Sequence, residues 1–260
     1  MTERAFSVSY YQGLHPQHLR NVVVLVPSLF WIQAGSKRVF QTHQTADIEA
    51  GMMLLVSARE RLSFENRPAQ GRFCSLQVSF HIAPARDMLE YSRCCAADRS
   101  GALLKLDKAL QETLRHLSQL DVSRYSLATQ THWLNALYQQ LAEHGRLHLL
   151  FPAEEDSLLV RLIRYLSRAP GEAHSMEQVC QYFAISRATL IRRLKKHDTR
   201  FRDVLLQVRM NHALALMQGG ERQQLALALA CGYQSPERFS QRFSHWFGIS
   251  PKQYLRTLPQ

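Results

Sequence analysis

Apolar positions between residues 20 and 80 fall in short runs separated by turn residues. VVVLV (Val22 to Val26) reads as a buried strand closed by Pro27, and FWIQ leads through Gly35-Ser36 into KRVF, which predicts a hairpin. Gly51 precedes the run Met52 to Val56, and Arg72 to Phe80 alternates imperfectly with period two. Such short runs in series predict a small antiparallel barrel or jelly roll. From Ala102 to Leu120, and again from Ser126 to His144, the spacing switches to that of helices. In the second helix Leu127, Leu134, Leu137, Tyr138 and Leu141 form one stripe, which either packs on its own barrel or makes a dimer seam.

Beyond Ser157 the periodicity is helical throughout. LLVRLIRYLSR opens the region, and Phe201 to Met217 predicts a long rod stopped by Gly219-Gly220. Around this rod the same pattern occurs twice. SMEQVCQYFAISRATLIRRLKK (Ser175 to Lys196) and QQLALALACGYQSPERFSQRF (Gln223 to Phe243) each read as a short apolar helix, a tight turn and a basic amphipathic helix. That is the pattern of a helix-turn-helix unit whose second helix enters a major groove. In the first unit Ser175 and Ser186 are N-caps, and Val179, Cys180, Phe183, Leu190 and Leu194 face inward. Ala184 occupies a turn position where glycine is commoner. In the second unit Leu225, Leu229, Ala230, Phe239 and Phe243 are the expected inward positions, Gly232 makes the turn, and Ser235-Pro236 starts the helix.

The outward positions carry the chemistry. Arg187, Ala188, Ile191, Arg192 and Lys195 face the groove in the first unit, with Thr189, Arg193 and Lys196 on the flanks, suited to phosphate. In the second, Pro236, Glu237, Arg238 and Gln241 project outward beside Arg242 and His245. An arginine can serve a guanine edge, a glutamine an adenine, and a glutamate the cytosine amino group.

Charge sharpens this picture. The net charge of +11 is lopsided, because Met1 to Asp156 holds 16 Lys+Arg against 15 Asp+Glu, whereas Ser157 to Gln260 holds 16 against 6. A cation-rich region beside a neutral one fits a polyanion binder joined to a sensing or assembly domain. No run approaches the ~18 apolar residues of a membrane span. The five cysteines contain no C-x-x-C, so a reduced, cytoplasmic protein without a zinc site is expected. No His-x-His is present, and no nucleophile with a base stands out, which argues against a barrel enzyme. Arg59, Arg61 and Arg67 around SFEN are candidates for meeting an anionic effector, although surface charge is the better explanation of them.

The run from Gly232 through Phe239, Phe243, Phe247-Gly248 and Ser250-Pro251 to Tyr254 closely resembles the C-terminal signature of AraC/XylS-type transcription regulators. The resemblance covers roughly residues 157–258, and the N-terminal half is loosely similar to the cupin-like sensing domain of that family. It implies an α+β protein: a cupin-like β-barrel with helices over residues 1–150, then an all-α DNA-binding domain over 157–260 with two tandem helix-turn-helix units. It further implies a bacterial regulator, an activator, that reads two neighbouring major-groove segments of double-stranded promoter DNA and recruits RNA polymerase. A small-molecule effector or a regulatory protein would act on the barrel, and a homodimer is compatible with this scheme. No cofactor, metal or membrane is expected.

Overall fold

The computed structural model describes residues 4–40, 45–96, 101–152 and 157–259. Strands β1 (Phe6–Gly13), β2 (Gln17–Val23), β3 (Ser28–Ala34), β4 (Ser36–Phe40), β5 (Thr45–Glu49), β6 (Met52–Val56), β7 (Arg61–Arg67) and β8 (Phe73–Phe80) lead to helix α1 (Arg86–Cys94). Strand β9 (Leu103–Lys105) follows, then α2 (Lys108–Gln119), α3 (Leu127–Glu143) and α4 (Leu147–Leu150). The remainder is helical: α5 (Ser157–Ser167), α6 (Met176–Phe183), α7 (Arg187–Lys195), α8 (Phe201–Gln218), α9 (Gln224–Ala230), α10 (Pro236–Phe247) and α11 (Pro251–Arg256).

All strand pairs among the described residues are antiparallel, in a five-stranded sheet ordered β1-β8-β3-β6-β9 and a four-stranded sheet ordered β2-β7-β4-β5. The expected hairpin across Gly35-Ser36 does not form, since β3 pairs with β6 and β8 whereas β4 pairs with β5 and β7. Gly35 instead turns a corner between the sheets. Its φ is 74°, and a Cβ there would strike the Arg67 carbonyl, so only glycine fits both demands. The strand expected over Val22–Val26 is likewise displaced. It runs from Gln17 to Val23 and breaks register between Leu19 and Val22, where Asn21 takes a positive φ of 56°. Such a bulge lets one strand bend around a barrel rim.

The helix expected from Ala102 begins only at Lys108, where the Asp107 carboxylate accepts from the Leu110 amide. Before that point Leu103–Lys105 completes the sheet edge beside β6. On α3 the stripe is occupied by the chain itself. Leu134, Leu137, Tyr138 and Leu141 are fully buried in one cluster with Leu29, Met53, Leu76 and Val78 of the sheet, and the Tyr138 hydroxyl donates to the Ile82 carbonyl at 2.6 Å. Burying each such side chain stabilises by roughly 1.5–3 kcal/mol.

The imperfect alternation of β8 has a cause in this packing. Leu76, Val78 and Phe80 face the helices, while Ser75, Gln77 and Ser79 line the interior of the barrel. Both faces are thus covered, and the polar one is turned inward.

The C-terminal helices build a second layer against the barrel. One cluster (Leu158, Leu162, Leu166, Val179, Leu190, Leu194, Val204 and Val208) unites α5 to α8. Another mixes barrel residues Leu19, Ile32 and Phe64 with Met210, Met217, Phe239, Phe243 and Phe247. The expected inward positions of α9 are corrected here. Leu227 and Ala228 are buried, Leu225 and Leu229 are 52% and 56% exposed, and Ala230 is half-buried. In a seven-residue helix reading QLALALA, either face could serve as the core.

Candidate nucleic-acid interface and adjoining cavity

The first helix pair is built by its caps. Ser175 and Gln178 form a reciprocal capping box at the start of α6, and the Ser186 hydroxyl accepts from the Thr189 amide at 3.1 Å to start α7. Each cap is worth about 1 kcal/mol. Between the helices Ala184 adopts the left-handed conformation, φ 51° and ψ 45°. Leu190 and Leu194 anchor α7 from below, which leaves Arg187, Ala188, Ile191, Arg192, Arg193, Lys195 and Lys196 exposed. Lys196 is the C-cap residue of α7 and lies at the end of this face. Thr189 is half-buried, with its hydroxyl 2.9 Å from that of Ser186. It therefore belongs to the cap as much as to the surface. Arg187 lies 3.5 Å from Glu177 of α6, both side chains well exposed, a weak surface pair. The Glu177 carboxyl is held below its ordinary range, mainly by its own backbone N–H and then by Ser175, with Arg187 contributing least.

The second pair uses the same devices. Ser235 accepts from the Arg238 amide at 3.3 Å, and Pro236 occupies the first helical turn of α10. Phe239, Phe243 and Phe247 are fully buried, with ring centroids 5.8 and 4.7 Å apart in sequence. They place Glu237, Arg238, Gln241, Arg242 and His245 on the exposed side, with Pro236 half-buried at its edge. Gly232 makes the turn at φ 76°, and a Cβ there would meet the Arg209 guanidinium and the Gly171 carbonyl. That guanidinium donates to the carbonyls of Pro170 (3.0 Å) and Glu172 (2.9 Å). Arg209 lies mid-way along α8, so the rod that joins the two units also fastens the loop before α6 beside the turn after α9.

The far end of α10 is held by the barrel. Arg20 and Asn21 of β2 donate to the carbonyls of His245 and Trp246, at 3.3 and 3.1 Å. Gly248 ends the helix at φ 79°, where a Cβ would press on the Arg20 guanidinium at 2.9 Å. This anchorage was not legible beforehand, because Arg20-Asn21 has no motif and its partners lie 225 residues away.

Behind the helices lies a cavity of about 1380 Å³ that joins the barrel interior to the cleft against α5 and α8. Lys37 is its chemical centre. The side chain is buried, with Nζ 2.5 Å from Asn66 Oδ1 and 3.4 Å from the centroid of the Phe64 ring. Burial pushes its pKa down to about 7. Ser75 Oγ, also buried and lining the cavity, has no hydrogen-bond partner among the described residues. His81, which also lines the cavity, is pushed down to about 4, first by burial and then by Arg164 and Arg4.

The three arginines considered as effector contacts, Arg59, Arg61 and Arg67, are not among the residues lining this cavity. Arg67 pairs with Glu65 at 2.6 Å, and Arg61 lies over the Trp246 ring. Lys37 was missed, yet the signal was present. In KRVF it shares the alternating apolar face of Val39, and both are buried. His144 lies 3.0 Å from Asp107, and His148 lies 3.0 Å from Ser92 Oγ. Among the described residues no three His, Cys, Asp or Glu side chains gather where they could hold a metal, and no helix is long and apolar enough to cross a membrane.

These paired helices and their shared rod define a helix-turn-helix domain, and residues 179–257 match the family described as "Helix-turn-helix domain". The matched residues include the run from Gly232 to Tyr254 that resembles the AraC/XylS-type signature. The chain is 32% identical over 128 residues to an uncharacterized HTH-type transcriptional regulator of Haemophilus influenzae, covering 48% of this chain and 41% of that protein. It is 32% identical over 123 residues to the HTH-type transcriptional activator RhaS of Escherichia fergusonii, covering 45% of this chain and 43% of RhaS. The chain thus matches less than half the length of these relatives. Over 99% of its length the fold is similar to that of ToxT from Vibrio cholerae, with a TM-score of 0.65 at 13% identity and all of that chain covered. A ToxT structure with an unsaturated fatty acid bound matches with a TM-score of 0.63 at 15% identity, covering 99% of this chain and 97% of that one. The α+β architecture, a cupin-like barrel followed by tandem helix-turn-helix units, is therefore that of a known fold.

Proposed function

We propose that this protein is a sequence-specific DNA-binding transcription regulator, an activator, in which α7 and α10 enter successive major-groove segments about one helical turn apart. The observation that carries this reading is the repeated presentation. Each helix is started by a serine cap, fixed by buried apolar residues at spacing four, and left with a basic, hydrogen-bonding face toward solvent. Arg187, Ala188, Ile191 and Arg192 form the reading face of α7, with Ile191, 48% exposed, suited to a thymine methyl. Pro236, Glu237, Arg238 and Gln241 form that of α10. Lys195 faces the groove beside the α7 set, and Thr189, Arg193, Lys196, Arg242 and His245 serve the phosphates. The chain divides into a sensing part, residues 1–150, and a DNA-binding part, residues 157–260, and activation passes through RNA polymerase. Footprinting of the full chain on fragmented chromosomal DNA tests this. A recurring motif with two contact blocks about one turn apart is expected, and protection confined to a single block would refute the two-helix reading.

The sensing part takes a small-molecule effector. Lys37 in a mostly apolar cavity, with the unpartnered Ser75 hydroxyl nearby, suits a carboxylate on a long apolar body. The ToxT relative whose structure holds an unsaturated fatty acid supports the same ligand class. Titration calorimetry with palmitoleate checks it, with heat of binding expected for the unaltered chain and lost on Lys37→Met. Equal binding by both would place the ligand elsewhere.

A further inference from the structure

A chain of buried hydrogen bonds leaves the cavity lysine and ends in the last helix of the DNA-binding part. Lys37 Nζ donates to Asn66 Oδ1 (2.5 Å), and Asn66 Nδ2 donates to Gln17 Oε1 (2.8 Å). Gln17 Nε2 donates to Thr257 Oγ1 (2.9 Å), which in turn donates to the Tyr254 carbonyl (2.6 Å) at the end of α11. Lys37, Asn66, Gln17 and Thr257 are all buried. The direction of every link is dictated by its ends, because an ammonium can only donate and a carbonyl can only accept. Neither amide can flip without losing a bond on each side. The second N–H of Gln17 goes to the Gln12 carbonyl (3.0 Å), which also accepts from Gln218 at the end of α8 (3.2 Å). Gln218 Nε2 also donates to the Tyr254 hydroxyl (2.7 Å). Gly13 keeps the route open, since a Cβ there would lie 2.8 Å from Gln17 Nε2. Gln17 is therefore a node where the hydrogen bonds from the cavity, the barrel wall, α8 and α11 meet.

We propose that the Lys37–Asn66–Gln17–Thr257 chain couples the cavity to the DNA-binding helices, so that an anion bound at Lys37 tightens the barrel's hold on α11. The proposal rests on the effector reading above. The ammonium has three N–H groups and uses one on Asn66, so an anion can accept another without displacing it. By holding the lysine charged in an apolar wall, the anion strengthens the Lys37–Asn66 bond. That bond polarises each link after it in the same direction.

Amide exchange followed by mass spectrometry on the full chain tests the coupling in two arms. Without ligand, Lys37→Met should speed exchange in residues 250–259 by roughly two- to tenfold, the equivalent of one net buried hydrogen bond, and leave α3 unchanged. With palmitoleate, the unaltered chain should slow both at β4 and at 250–259. Gln17→Met should keep the slowing at β4 and lose it at 250–259, and Thr257→Val should do the same from the other end if Gln17→Met does not fold. The coupling is overturned if Lys37→Met leaves 250–259 untouched, or if both variants retain ligand-induced protection there. Absence of protection at β4 in the unaltered chain overturns the effector reading and the anion's part in the proposal. The ligand-free arm then upholds or overturns the chain by itself.

Discussion

A lysine ammonium enclosed by Phe64, Phe73 and one amide oxygen is held against its solvation preference. Its pKa of about 7, against an ordinary 10.5, makes this a statement about stability. Between those two values the unfolded chain binds the extra proton and the folded chain does not, so folding becomes more favourable as pH rises. Below about 7 both states are protonated and the full penalty stands. Lys37→Met should therefore be more stable than the unaltered chain near neutral pH, with an advantage that shrinks by at most about 1.4 kcal/mol per pH unit above that. Urea melts of both proteins from about pH 6 to about pH 9 measure the gap, and a gap constant across the series would mean that Lys37 titrates normally. On the DNA side, Arg192→Ala should cost about 1–3 kcal/mol at the cognate site and relax specificity at one base pair. Lys196→Ala should weaken binding to all sequences and lower the salt slope by about one. Competition binding over a salt series distinguishes them. The exposed set of α7 and α10 was legible because spacing-four leucines and phenylalanines fix which side faces away. The burial of Lys37 could be read from its alternation with Val39, but its role and that of Gln17 could not, since these depend on partners 29 and 240 residues distant.

At the scale of elements, what could be read in advance was whatever a local interaction decides. Ser175, Ser186 and Ser235 cap their helices because a hydroxyl reaches an amide three residues on, and that geometry needs nothing else from the fold. Gly35 misled because a glycine that closes a hairpin and one that turns a corner between two sheets have the same sequence signature. Helix α1 went unforeseen, having no capping side chain and a single buried residue, Ser92. The turn of the first unit offers a direct test of local strain. Ala184 sits at φ 51°, a conformation disfavoured by roughly 1–2 kcal/mol for a residue with a Cβ. Ala184→Gly should raise stability by about 1 kcal/mol and the melting temperature by roughly 2–4 °C. Thermal melts by circular dichroism check this, and a lower melting temperature would show that the methyl group packs more favourably than the turn is strained.

The two halves of the molecule do not stand equally alone. The cluster under the first helix-turn-helix unit draws its buried members entirely from residues 158–208. The cluster under the second shares its interior with Leu19, Ile32, Val39 and Phe64 of the barrel. The end of α10 is tied to β2 by Arg20 and Asn21, and the segment after α11 by the bond from the Leu14 amide to the Thr257 carbonyl at 2.7 Å. A boundary near residue 157, drawn from charge and periodicity, therefore cuts an apolar core that neither signal could register. A fragment of residues 157–260 should keep its helices, because the first unit and α8 carry their own core. It should also melt below the full chain, since removing the barrel exposes one face of Met210, Met217 and Phe247. The loss should be uneven, with faster amide exchange in α9 to α11 than in α5 to α7. Equal protection across both units would mean that the second needs nothing from the barrel, and the coupling through Gln17 would then have no mechanical consequence.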